Sequence, residues 1–142
     1  MPVIFATTDA GAERLRAGGP TPNATIEIAG TGGPVAATRL VEIAATTGAR
    51  LVLCEGGPHL IGDLLLAGLL DELFLTVAPQ LAGRNEATRR LALVEGAAFD
   101  IGMAPWAELG SVRRSGNHLF VRYRVGGGAS RQGPAQTSAD GI

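Results

Sequence analysis

The sequence predicts an α/β fold: a three-layer, mostly parallel sheet with helices on both faces and a C-terminal antiparallel hairpin. Three observations predict it. Short apolar runs alternate with helix-spaced segments through residues 3–78. Residues 51–58, Leu-Val-Leu-Cys-Glu-Gly-Gly-Pro, pass from an apolar strand through a glycine turn directly into a helix. Two alternating segments joined by Ser115-Gly116-Asn117 close the chain.

The elements follow in order. Residues 3–7 form a short apolar run, read as a buried strand, and residues 10–17 a short helix before the breaker Gly18-Gly19-Pro20. Residues 25–29 alternate modestly and give a second strand; residues 30–34 turn. Leu40, Ile43 and Ala44 space residues 35–47 as a helix, with Gly48 as its stop. Residues 51–54 are the next strand and 58–69 the next helix, with Pro58 suited to a first helical position. In residues 73–78 both faces are apolar, which fits a strand covered by helices on both sides. A polar loop at 83–90 precedes the final strands, near 107–114 and 118–125. In the last one Leu119, Val121, Tyr123 and Val125 share a face, and His118, Arg122 and Arg124 share the other with Phe120. Residues 1–125 thus form one domain. Residues 126–142 are Gly, Ser, Gln, Ala and Pro with few apolar anchors, a composition that predicts a disordered tail.

Bulk properties narrow the function. A chain of 142 residues, 46% hydrophobic, is one domain able to bury roughly 70% of its unfolded surface. A net charge of -1 gives no reason to expect nucleic acid or an anionic membrane as partner. All 12 basic residues are Arg, so Schiff-base chemistry and a P-loop lysine are excluded. Cys54 is alone and reads as a small buried hydrophobe; with only two His residues it makes no metal site. The first residues are no signal peptide and the longest strongly apolar run, 64–70, is too short to span a bilayer, so a soluble cytoplasmic protein is expected.

The chemistry concentrates at residues 55–63. Glycines between a strand and a helix let backbone approach a ligand, and the helix N-terminus attracts an anion such as a pyrophosphate. Glu55 places a carboxylate beside that crevice. Read without a ligand, the same stretch is a tight strand-to-helix turn.

Glu55-Gly56-Gly57-Pro58, the run Leu-Leu-Leu-Ala-Gly-Leu-Leu-Asp-Glu-Leu (64–73) and Val-Ala-Pro-Gln-Leu-Ala-Gly (77–83) resemble the riboflavin-biosynthesis pyrimidine reductase C-terminal domain. The ending Arg-Arg-Ser-Gly-Asn-His-Leu-Phe-Val-Arg-Tyr-Arg (113–124) resembles the final hairpin of the same family. The resemblance covers residues 2–125. It implies a dihydrofolate-reductase-like fold and NADPH-dependent reduction of a ribosylaminopyrimidine or a similar pyrimidine or pterin-like heterocycle. It implies that Glu55 meets substrate, and that Gly56, Gly57, Pro58, His59, Leu60, Ile61, Gly62 and Asp63 line the cofactor. Thr7 and Thr8 match a strand end that often holds the adenosine side. A homodimer is expected, as relatives dimerise. Family members also carry an N-terminal portion with a first strand and a Ser-x-Asp-Gly-type segment, and this chain starts after it. The rival reading is a truncated, non-catalytic remnant that binds a nucleotide or dimerises.

Other charged groups carry bland readings beside sharper ones. Asp71 and Glu72 read as a turn cap and a surface charge rather than a catalytic pair. Glu55 reads as a hydrogen-bonding group rather than an acid. His59 reads as a solvent-facing helix residue, with assistance to phosphates as the alternative, and His118 as a strand surface residue. Arg14 and Arg16 could recognise a 2′-phosphate but suit an exposed helix face. Arg113, Arg114, Arg122 and Arg124 form a ladder read as a solvated sheet face.

Overall fold

The computed structural model describes residues 2–19, 22–83, 85–87, 90–100 and 102–126. Of the expected tail at 126–142, residues 127–142 lie outside these residues. The chain divides into two compact units, Met1–Ala67 with Leu93–Ala97, and Gly68–Ala92 with Ala98–Ile142.

The first unit opens with β1 (Val3–Thr8), α1 (Asp9–Ala17) and β2 (Ala24–Gly30). The two strands pair in parallel from Val3↔Ala24 to Thr8↔Gly30, with an irregularity between Thr7 and Thr8. A parallel pair needs a crossover, and α1 supplies it. Thr8 caps that helix: its hydroxyl accepts from the Gly11 N–H at 3.2 Å. Gly11 leaves room for Thr7, whose hydroxyl would overlap any Cβ there. Ala12 is fully buried and turns α1 toward the strands, which it contacts.

Helices α2 (Ala37–Thr46) and α3 (Pro58–Leu66) complete this unit and contact each other. Ala37, Ile43 and Leu64 are their buried apolar residues. Proline at the first position of α3 costs no hydrogen bond, because that N–H would have no partner within the helix. The Leu93–Ala97 segment returns to α3: the Glu95 N–H donates to the Pro58 carbonyl at 3.1 Å.

Residues 51–54 do not form the expected strand. None of them has a hydrogen-bonding partner strand among the described residues, and a β-strand exists only by such pairing. Their apolar side chains are open, with Leu51 at 88% and Leu53 at 74% exposure, and Cys54 is exposed rather than buried. The sheet expectation is corrected accordingly. Among the described residues the strands lie in a two-stranded parallel sheet and a three-stranded antiparallel sheet, so the fold is mixed α/β rather than one mostly parallel sheet.

The second unit holds the antiparallel sheet, ordered β3 (Glu72–Val77), β5 (His118–Val125), β4 (Ala107–Ser115). The expected hairpin is present, with Ser115 opposite His118 and Gly116 at φ +56° in its turn. A bulge between Leu109 and Ser111 bends β4. Val121, on the central strand, is the buried apolar residue among the described residues of this unit. β3 runs antiparallel to β5, and Phe74 is 66% exposed, so the reading of a strand covered on both faces is also corrected.

The arginine ladder is partly neutralised. Glu72, read from sequence as a turn charge, begins β3 and makes a two-point ion pair with Arg122, whose Nε donates to Oε2 at 2.9 Å. The Arg122 guanidinium also lies 5.7 Å from the centre of the Phe74 ring. Arg124 stands 3.8 Å from Glu108. The Arg122 hydrogen bond and charge hold the Glu72 carboxyl below the usual glutamate range, with Arg124 adding to the effect; Glu72 in turn raises Arg122.

Two outcomes follow from these contacts. A carboxylate with a lowered folded-state pKa stabilises above its unfolded pKa and loses that contribution as the pH falls through the folded value. Between about pH 6 and about pH 3, which spans the ordinary glutamate range, urea midpoints of the parent should fall more steeply than those of Glu72→Gln; parallel curves would remove the ion pair from the stability of this sheet. At Gly62, helix propensity alone predicts that Ala stabilises by about 1 kcal/mol. A Cβ there would overlap the Glu95 carbonyl and press on Ala97, so Gly62→Ala should instead destabilise by about 1–3 kcal/mol. A stabilised variant in chemical denaturation would refute the contact.

Candidate functional site

The residues expected to meet cofactor and substrate lie in the first unit, at the turn from β1 into α1 and at the start of α3. The first runs from β1 into α1. Thr8 is occupied as a cap, but its hydroxyl accepts there and keeps a hydrogen to donate. Thr7 is turned toward Gly11, beneath the start of α1. Asp9 closes the same end, accepting from the Ala10 N–H at 2.8 Å and the Gly32 N–H at 3.4 Å.

The second turn, residues 55–60, is built differently. Glu55 is exposed, and its carboxylate has no hydrogen-bond partner among the described residues. Gly57 stands at the N-cap of α3 in extended backbone and makes no side-chain cap, having no side chain. The Ile61 N–H reaches the Gly57 carbonyl at 3.2 Å, while the N–H groups of His59 and Leu60 find no partner among the described residues. Pro58 has no N–H. Two donors at the positive end of a helix dipole are therefore free, an arrangement suited to an anion.

The two glycines before α3 have separate roles. Leu60 folds back so that its side chain would overlap a Cβ at Gly56. Nothing lies within 4 Å of where a Cβ at Gly57 would stand. The space over Gly57 is open, and it is the place where backbone can be approached closely.

The other expected lining residues divide. His59 is exposed, and its ring lies against Gly96, which sits at φ +75° in the returning segment. Gly62 is buried and its free side is filled by the Glu95 carbonyl, so it serves packing within the unit. Ile61 is half-buried, and Asp63 is exposed in the second turn. Sequence reasoning missed residues 95–97 altogether. The one local signal was Gly96, a glycine at the kind of backbone turn that glycine favours.

Arg14 and Arg16 are exposed on the last turn of α1, in keeping with a solvated helix face. No group of three His, Cys, Asp or Glu side chains among the described residues could hold a metal. No helix among them is long and apolar enough to cross a membrane.

No curated protein matches the sequence. Residues 1–119, which include the starts of α1 and α3, match the RibD C-terminal domain. The match spans most of the chain, and the chain belongs to the RibD C-terminal domain family.

Proposed function

We propose that the chain is an NADPH-dependent reductase domain acting on a pyrimidine or pterin-like heterocycle, in the manner of the riboflavin-pathway reductases. Membership of the RibD C-terminal domain family supports a reductase-like role in that pathway. The single observation that carries the site is the α3 N-terminus: among the described residues the His59 and Leu60 N–H groups have no partner, beside a Gly57 whose α-carbon is open. A diphosphate suits those donors, since it can approach glycine backbone closely and gains from the helix dipole. The residues present therefore fit the cofactor.

In this reading Gly56, Gly57, Pro58, His59 and the Leu60 N–H receive the diphosphate. Gly56 admits the fold-back of Leu60, and Pro58 fixes the first helical φ. Thr8 donates its remaining hydroxyl hydrogen toward the adenosine side, beside Thr7. Glu55 hydrogen-bonds and orients the heterocycle. Nicotinamide, when bound, supplies hydride to a C=N or C=O carbon. A homodimer belongs to the same proposal, supported by the exposed Leu51, Val52 and Leu53, which invite cover.

A thermal-shift titration tests the cofactor. NADPH should raise the melting temperature and NADH should not; no shift with either at millimolar concentration would sink the reading and favour the non-catalytic remnant. A Cβ at Gly57 would stand in open space, so Gly57→Val fills the approach from that side. It should melt like the parent and bind NADPH at least about ten-fold more weakly, a difference of about 1.4 kcal/mol. Equal binding would show the turn misassigned. Sedimentation equilibrium at micromolar concentration addresses assembly, and a monomer there would refute the dimer.

A further inference from the structure

Two glycines, Gly62 and Gly96, bring the Leu93–Ala97 segment onto the first turns of α3. The Glu95 N–H donates to the carbonyl of Pro58, the first residue of the helix. The Glu95 carbonyl occupies the position of a Cβ at Gly62, one turn further on. Gly96 then turns at φ +75°, and the His59 Nδ1 stands 3.2 Å from where a Cβ there would lie. Backbone thus grips the helix on both sides of the two free N–H groups, at Pro58 and Gly62. The Pro58 and Gly62 contacts are made by the Glu95 backbone.

We propose that the Leu93–Ala97 segment is a strap that positions the first turn of α3 for the cofactor diphosphate, with Gly62, Glu95 and Gly96 as positioning residues. The proposal rests on the cofactor reading above and adds to it the element that sets the direction of the donors. The physical reason is orientation. Hydrogen bonds weaken steeply as they bend, so two N–H groups serve one anion only while the turn that carries them is held still. A helix of nine residues lies below the length at which a helix stands alone in water, and its first turn is where fraying begins. The strap supplies the restraint that a side-chain cap gives elsewhere, while leaving the donors free. Coupling runs both ways: a ligand that needs the turn ordered must also hold the strap in place.

Amide hydrogen exchange and equilibrium binding test this on the full chain. In the parent, saturating NADPH should slow exchange of the Glu95 N–H at least about ten-fold, while the Arg39 and Leu40 amides at the start of α2 change far less. Gly62→Ala, which forces the strap off the helix, should weaken NADPH at least about ten-fold and leave adenosine 2′-monophosphate, which lacks the diphosphate, bound as before. A merely structural role would weaken both ligands alike. Should Gly62→Ala fail to fold, the exchange result on the parent decides alone. A parent that binds NADPH with Glu95 exchange unchanged overturns the strap; a parent that binds no NADPH overturns the cofactor reading and the strap's role with it.

Discussion

The first turn of α3 is held from outside by backbone, and a glycine at position 62 is the condition of that contact. Alanine is the better helix former, so glycine in a helix interior marks a place where packing has overruled propensity. Here the competing term is the Glu95 carbonyl, seated where a methyl group would stand. The same contact explains why a segment distant in sequence joins the first unit. It also explains how a helix without a side-chain cap keeps a defined start: the Pro58 carbonyl is held by the Glu95 N–H, and Pro58 itself arrives with its φ already fixed.

Local structure was legible because its signals are local. The stop at Gly48, the proline at the start of α3 and the turn at Gly116 each act over a few residues, and the helices and the hairpin stand where those signals put them. Pairing was not legible. An apolar run such as residues 51–54 announces that it is buried in some sheet, but a strand also needs neighbours, and none of the described strands pairs with it. Residues 72–77 show the same limit in another form. Two apolar faces suggested cover on both sides, yet the strand pairs antiparallel with β5 and leaves Phe74 open beneath the Arg122 guanidinium. Glu72 entered that arrangement unseen because its partner lies fifty residues away.

The candidate site divides along the same line. The Glu55-Gly56-Gly57-Pro58 turn and its helix were readable from spacing alone, and the structure gives α3 the open N-terminus that reading requires. Sequence reasoning treated the glycines as one cradle, whereas their neighbours differ. Gly56 makes room for Leu60, Gly57 faces open space, and Gly62 receives a carbonyl. Only the surroundings in three dimensions separate these cases, since each glycine looks the same in the chain.

The three helix starts of the first unit sharpen the comparison. At α1 the Thr8 hydroxyl takes the Gly11 N–H and the Asp9 carboxylate takes the Ala10 N–H, so the donors are satisfied and an anionic group already stands there. At α2 no side chain caps the helix, but its first residue, Ala37, is buried, and the residue before it carries a Cβ. At α3 the donors are free, the preceding residues are glycines, and the N-cap α-carbon is bare. An added phosphate would meet repulsion from Asp9 at the first start and complementary charge at the third, where it can also approach glycine backbone. Of the two helix starts in this unit without a side-chain cap, only α3 is preceded by glycine.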